Sequence, residues 1–329
     1  MEHVIPFPNI DPVLFDFGFF QIRWYALAYI FGLVLGWQYV QLLLRSDRLW
    51  AEKDWKSFPR EWTVWTLPLT GWRIPHPRLS FDKKTIRPFK VKKPATAIQI
   101  DDLLLWAALG VILGGRLGYV FLYAMWYDHL RDFYLENPLR MLYVWQGGMS
   151  FHGGLLGVIV AVLIFARLNK LDPIRVGDVI APAVPIGLLF GRLANFINGE
   201  LWGKVTTVPW GVIFPHPDAG PLPRHPSQLY EAGLEGIVLF CVLYYLTWYM
   251  RALHRPGLTT GVFLLGYAIA RFFVEFAREA KDYIGSPDNW FTMGMLFSLP
   301  MGLAGLAFIW FALNSTQTPQ KKSVAKSKS

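Results

Sequence analysis

Four polar side chains arrive within nine positions in the run GRLANFINGELWG, residues 191–203: Arg192, Asn195, Asn198 and Glu200. They follow an apolar stretch, 179–190, broken by Pro182 and Pro185. Polar groups at the edge of a hydrophobic segment are costly unless paired. Arg192 and Asn195 are spaced i, i+3 and share one helical face, and Gly199 marks where that helix should end. A guanidinium at such an edge can grip two phosphate oxygens at once. The alternative is an Arg192–Glu200 pair that only holds the following loop in place.

Four further stretches put unusual groups beside apolar segments, where an ionisable residue is a functional candidate by default. In GYAIARFFVEFAREA, Tyr267, Arg271 and Glu275 are spaced i, i+4, i+8 and form one stripe, so Glu275 can pair with Arg271 and fix its direction. A second arginine at similar depth would complete a pocket for an anionic headgroup; the alternative is a salt bridge for helix packing. In WQGGMSFHGGLLG, residues 145–157, His152 stands between two glycine pairs that bare the backbone to a close ligand. A histidine titrating near neutrality suits general acid–base work, although a lone one in apolar surroundings also serves structurally. In RHPSQLYE, residues 224–231, Ser227 is a candidate N-cap, and Glu231 lies one turn inside the helix, placed to support an arginine or a proton transfer. In IRWYALAY, Arg23 and Tyr25 stand at a membrane interface, where aromatic anchors are common.

Other chemistries do not fit. His216 and His225 lie among prolines with no ligand pattern, so no metal is expected. GGLLG at 153–157 follows no strand and is not a dinucleotide loop. Ser150 and His152 lack a third member placed by a nucleophile elbow. Two arginines, a histidine, amides and carboxylates at one membrane edge point instead to a phospholipid headgroup site with acyl chains between helices.

The elements that must position these groups are membrane helices. The chain is 53% hydrophobic and 17% charged over 329 residues, with a mean hydropathy of +0.31; soluble domains carry about 25% charged residues. Apolar runs near 19–44, 101–124, 151–168, 176–197, 229–250, 259–279 and 291–313 approach the roughly 20 residues that span a bilayer. The expected fold class is all-α integral membrane, with seven transmembrane helices and a small extracytoplasmic cap. The first eighteen residues hold no Lys or Arg and so lack the basic start of a cleavable signal; the first span should be retained.

Charge orients the chain. With the N-terminus outside, the inward segments 45–100, 167–175, 251–255 and the tail from Asn314 hold most of the Lys and Arg. The outward loops hold only Arg131, Arg140, Lys204, Arg224, Arg278 and Lys281. The net charge of +9 therefore reads as topology and contact with anionic membrane lipid, not as nucleic-acid binding.

The expected organisation is an outward segment and first span (1–44), a basic Trp-rich cytoplasmic insertion (45–100), a six-span catalytic body (101–313) and a disordered Lys-rich cytoplasmic tail (314–329). Within the body a cap at about 198–228 includes VTTVPWGVIF, which suggests short strands. Gly110, Gly114 and Gly118, then Gly153 with Gly157 and Gly187 with Gly191, repeat the small-xxx-small spacing of closely packed membrane helices. The one cysteine, Cys241, lies in an apolar span and reads as a packing residue.

GRLANFINGELWG resembles the signature of the prolipoprotein diacylglyceryl transferase family, Gly-Arg-x-(Gly or Ala)-Asn-Phe-x-Asn-x-Glu-x-x-Gly, at every fixed position. GGMSFHGG, RHPSQLYE, GGRLGYV and the Tyr-x-x-x-Arg-x-x-x-Glu stripe resemble its other motifs. The resemblance covers most of 1–44 and 101–313, while 45–100 departs from the family's usual short connection. It implies a seven-span enzyme of the bacterial inner membrane with no metal or organic cofactor. Such an enzyme moves the diacylglyceryl group of phosphatidylglycerol onto the thiol of a prolipoprotein lipobox cysteine, leaving a thioether and glycerol 1-phosphate. The implied site residues are Tyr25, His152, Arg192, Asn195, Glu200, Gly203, Glu231, Tyr267, Arg271 and Glu275, with Asn198 beside them.

Under that reading Arg192 and Arg271 stabilise the departing phosphate. His152, or else Glu200 or Glu231, takes the thiol proton. Asn195 and Tyr25 orient the headgroup, and Gly203 lets backbone lie close to substrate. From the residues alone a lipid or small-molecule transporter is the alternative, although no long-period repeat of the kind that marks many transporters is visible.

Overall fold

The computed structural model describes residues 5–8, 10–18, 21–50, 62–66, 73–77, 93–122, 124–279 and 291–314. The chain enters through short strands, β1 (Ile5–Pro6) and the antiparallel pair β2 (Val13–Asp16) and β3 (Gln21–Arg23). Helices follow: α1 (Trp24–Arg45), one turn α2 (Asp47–Trp50), α3 (Ala97–Leu122), α4 (Asp128–Glu136), α5 (Phe151–Leu168), α6 (Pro173–Ile180) and α7 (Val184–Ile197). After them come α8 (Ser227–Glu231), α9 (Leu239–Trp248), α10 (Leu258–Val274) and α11 (Met293–Asn314). A 3-10 turn at Ala181–Ala183, centred on Pro182, joins α6 to α7 as one rod, and a π-helical segment at Ala232–Val238 joins α8 to α9.

Each apolar run expected from sequence has its helix. Among the described residues six rods are long and apolar enough to cross a membrane, and α10, at 17 residues, is a shorter apolar helix. The first rod starts at Trp24 rather than near residue 19, because Gln21–Arg23 extend against β2. Only 17 to 33% of each rod's apolar window is buried within the protein. Leu105, Leu113, Leu155, Leu303 and Trp310 point outward, an arrangement that lipid tolerates and water does not. Cys241 is also exposed, on this outer surface rather than in a protein core.

The close packing foreseen from the glycines is realised between α3 and α5. A Cβ on Gly114 would lie 2.5 Å from the Gly153 carbonyl oxygen, and one on Gly110 would lie 2.6 Å from that of Gly157. Gly187 and Gly191 differ: an added Cβ meets nothing within 4 Å, and both border a cavity. At the opposite end of the α6–α7 rod, buried Asp178 caps α10 from another helix. It accepts from the Gly257 and Thr260 amides at 2.6 and 2.9 Å and from both threonine hydroxyls, Thr259 and Thr260, at 2.9 Å. The helix carrying Arg192 is thereby fastened to the helix carrying Arg271.

Beyond α7 the chain reverses at Gly199, in the left-handed region, and folds into a small cluster. Its centre is Val212, Phe214 and Ala219, with Phe7, Phe196 and Trp202 packed around them. The strands expected over VTTVPWGVIF shrink to β6 (Val212–Ile213), parallel to β1, and isolated bridges of Val205 and Val212 with Arg224. Pro209 has no N–H to donate, and the Gly211 amide closes a turn onto Val208 instead.

Residues 46–93 form a separate compact unit. Within it, β4 (Trp62–Thr66) pairs antiparallel with β5 (Arg73–Pro77), and Lys93 bonds Asp47 at 3.1 Å. Trp55, Trp72 and most of the basic run KKTIRPFKVKK lie outside the described residues, as does the tail beyond Asn314.

Candidate functional site

Three rods meet at one charged knot. α7 carries Arg192 and Asn195. The α8–α9 rod carries Glu231 at the end of α8 and Glu235 in the π segment. α10 carries Tyr267 and Arg271, with Glu275 at its C-cap and Arg278 in the turn beyond. Glu231 is the centre: its Oε2 meets Arg192 Nε at 2.9 Å, and its Oε1 accepts from Arg271 at 3.2 Å and Arg278 at 2.8 Å. Glu235 Oε2 accepts from Arg192 Nη2 at 3.1 Å and Nε at 3.3 Å. Glu275 pairs with Arg271 at 2.7 Å and accepts from the Thr292 hydroxyl at 3.0 Å. The three carboxylates are buried while Arg192 and Arg271 stay about one-sixth exposed, so charge is held inside by pairing.

Glu200 belongs to a neighbouring polar group. It accepts from the Asn195 amide at 2.8 Å and from Asn198 at 3.4 Å, and its backbone oxygen accepts from Gln228 at 2.5 Å. The Arg192–Glu200 pair considered from sequence is not the bond formed; Arg192 turns to Glu231 and Glu235 because the α8 rod packs against α7. Ser227 is not an N-cap. The cap position is Pro226, and the Ser227 hydroxyl donates to Leu201 O at 2.9 Å, tying the start of α8 to the signature loop.

Arg192, Asn195, Tyr25 and Tyr267 line one end of a cavity of about 580 Å³. Its remaining wall is apolar, including Gly32, Leu33, Leu103, Val158, Val184 and Leu188 from α1, α3, α5 and α7. Arg192 spends Nε and Nη2 on the carboxylates; among the described residues no hydrogen bond occupies Nη1. The Tyr25 and Tyr29 hydroxyls lie 3.1 Å apart beside it. A polar end with a guanidinium and an amide, opening into an apolar body, suits an amphiphile with an anionic head.

A model of the family described as prolipoprotein diacylglyceryl transferase matches residues 12–74 and 83–311. The phosphatidylglycerol–prolipoprotein diacylglyceryl transferase of Rhizobium meliloti (strain 1021) is 46% identical over 304 residues, covering 92% of each chain. That of Rhizobium leguminosarum bv. trifolii (strain WSM2304) is 47% identical over 305 residues with the same coverage, and that of Caulobacter vibrioides (strain NA1000 / CB15N) is 44% identical over 326 residues, covering 93% of this chain and 95% of its own. The chain belongs to the prolipoprotein diacylglyceryl transferase family. The matches give no support to a transporter. The two matched segments leave 75–82 unmatched between them.

Within this family member the structure brings together Arg192, Glu231, Tyr267, Arg271 and Glu275, with Asn195, Asn198 and Glu200 adjoining them. His152 stands apart at the start of α5. Its ring packs against Phe151 and Phe297 at 5.7 and 5.3 Å between centroids, and it does not line the cavity, although Phe151 does. Gly203 is pressed between segments of its own chain: its amide donates to His225 O at 2.8 Å, and a Cβ would lie 2.7 Å from that oxygen.

Glu235 and Arg278 were missed from sequence. Glu235 lay in view as a carboxylate inside an apolar run, LEGIVLF, and the rule that flagged Arg271 applies equally to it. Arg278 carried no such signal, because it reads as an ordinary loop cation until the turn after α10 folds it onto Glu231. Outside the spans, burial, and then the Lys204 charge, push the pKa of His225 down. Its Nδ1 lies 3.1 Å from the Tyr230 hydroxyl, which itself accepts from Trp210.

Proposed function

We infer that this chain transfers the diacylglyceryl group of phosphatidylglycerol to the thiol of a prolipoprotein lipobox cysteine. The observation that carries the reading is the cavity with Arg192 at its polar end and apolar walls beyond, in a chain of this family. In the reaction the thiol sulfur bonds to the glyceryl carbon and the carbon–oxygen bond to phosphate breaks. The bond's electron pair stays with the phosphate oxygen, and glycerol 1-phosphate departs. Arg192, with Arg271 behind it across Glu231, offsets the charge that grows on that oxygen. Asn195, Tyr25 and Tyr267 orient the headgroup.

For the thiol proton the candidates are His152, Glu200 and Glu231. Both oxygens of Glu231 already face guanidinium nitrogens, and Glu200 Oε1 accepts from two amides. His152, whose ring lies against two phenylalanines, is our choice for the base. Gly203, Glu275 and Asn198 support the frame. No metal or organic cofactor enters this reading.

The same reading places seven spans, α10 included, in the bacterial inner membrane, with the N-terminus and the 198–228 cluster outside and the C-terminus in the cytoplasm. The support is the asymmetry of Lys and Arg between alternate loops. The test is direct. Purified protein in lipid is mixed with labelled phosphatidylglycerol and a lipobox peptide, and a diacylglyceryl-modified cysteine is the expected product. A peptide that stays unmodified, with phosphatidylglycerol intact, would overturn the proposal.

A further inference from the structure

Glu235 plays no part in the transfer as derived so far, yet it is wholly buried and directly on Arg192. Its two oxygens differ. Oε2 accepts from both Nε and Nη2 of Arg192, whereas Oε1 is shut off from solvent with no hydrogen-bond partner. Glu231 Oε2 and Glu275 Oε2 are likewise buried without a hydrogen bond, but each lies against a guanidinium nitrogen, Arg192 at 2.9 Å and Arg271 at 2.7 Å, whereas no ion pair among the described residues reaches Glu235 Oε1. The charged groups facing Glu235 are Arg192 from α7, Glu231 from α8 and Arg271 from α10, with the Tyr267 phenol beside them. Arg278 and Glu275 lie one ion pair further out.

Charge balance gives this arrangement a consequence. Arg192, Arg271 and Arg278 face Glu231, Glu235 and Glu275, so the knot is neutral before any ligand arrives. A phosphodiester brings one more negative charge to Arg192. In surroundings of low dielectric an uncompensated charge is expensive, and the cheapest compensation is a proton on the least engaged carboxylate oxygen.

We propose that Glu235 is a positioning residue that takes up a proton on Oε1 as an anionic phospholipid headgroup binds, keeping Arg192 aimed through Oε2 while releasing its charge to the phosphate. This rests on the phosphatidylglycerol reading of the same cavity. The direction follows from linkage: a group that gains a proton on binding makes affinity strongest at low pH and weaker as pH rises. Glu231 and Glu235 are spaced i, i+4 from the end of α8 into the π segment, so both reach the same guanidinium, and such π segments recur at functional sites.

Two measurements test it on the full chain in lipid nanodiscs. The first is binding calorimetry of glycerophosphoglycerol, the deacylated phosphodiester headgroup that has no ionisation of its own near neutral pH, and of phosphatidylglycerol in two buffers of different ionisation heat. About one proton taken up per headgroup bound is expected, and none taken up overturns the proposal. The second is the KM for phosphatidylglycerol against pH. In the wild type it rises on the alkaline side by up to about tenfold per pH unit. Glu235→Gln, which imitates the protonated form, flattens that rise and lowers kcat by less than about tenfold. A Gln variant with the wild-type slope, or one that is folded but inactive while Glu235→Asp is active, sinks the idea. If Glu235→Gln does not fold, proton uptake by the wild type alone decides. Uptake with glycerophosphoglycerol is read independently of transfer, so a wild type that modifies no peptide refutes the enzyme reading and not this one.

Discussion

Arg116 and Arg192 are both arginines within apolar helices, and the protein treats them oppositely. Arg116, on α3, is 1% exposed and meets no carboxylate among the described residues. It donates to the carbonyls of Met141, Arg140 and Gly147 and to the Tyr134 hydroxyl, using all three nitrogens. The faces of Tyr134 and Tyr119 lie 5.6 and 5.8 Å from its guanidinium carbon. Its hydrogen-bonding is spent inside the protein, and what it holds is the connection between α3 and α5. Arg192 is held from one side by Glu231 and Glu235, and its other side faces a cavity. A saturated guanidinium is a structural tie; one anchored by carboxylates along one edge is a tool with a free edge. Burial alone does not separate the two, but the distribution of partners does.

The sharpest way to break this comparison is to remove each arginine. Arg192→Ala should lower phosphatidylglycerol-dependent peptide modification per folded molecule at least about a hundredfold, and because Glu231 and Glu235 lose a buried cation it should also lower Tm. If transfer persisted, the headgroup assignment would be wrong. Arg116→Met should lower Tm without that loss of activity. Three carbonyls and a hydroxyl lose their donor, which costs about 2–5 kcal/mol, seen as a lowered Tm in detergent. Activity per folded molecule should stay within about tenfold of wild type. A loss of activity with an unchanged Tm would make Arg116 part of the chemistry.

The glycines extend the contrast. Gly114→Leu would drive a side chain into the α5 backbone and should cost about 1–3 kcal/mol or more. Gly187→Leu projects toward the cavity; it should leave Tm nearly unchanged while raising the KM for phosphatidylglycerol several-fold. Equal Tm losses from the two would show that Gly187 is also a packing residue. The smallest expected effect is at His225. Its lowered pKa means that the unfolded chain takes up the proton first as pH falls below about 6.5. Stability attributable to this group is therefore present above that pH and lost on the acid side. His225→Gln should make the acid-side fall in Tm shallower, and an unchanged slope would remove His225 as its source.

Helix existence was legible because it is a local property: run lengths near the bilayer span and the absence of charge required rods at these places. The α3–α5 contact was legible for the same reason, since small residues every fourth position leave a flat face on one helix. The stripe Tyr267–Arg271–Glu275 followed from helical spacing, and the Arg271–Glu275 pair forms as that spacing requires. The N-cap assigned to Ser227 failed because the neighbouring loop offered its hydroxyl a tertiary partner, Leu201 O.

The sequence by itself therefore determined the membrane class, the chemical types at the site and the family. Each of these depends on composition or on neighbours a few positions apart. Only the tertiary structure decided which carboxylate serves which arginine. Glu231 lies forty positions from Arg271 and forty-seven from Arg278, and it reaches both, with Arg192, because three rods converge on it. A buried ion pair exists only where both charges leave water together, and that coincidence is a property of packing, not of spacing along the chain.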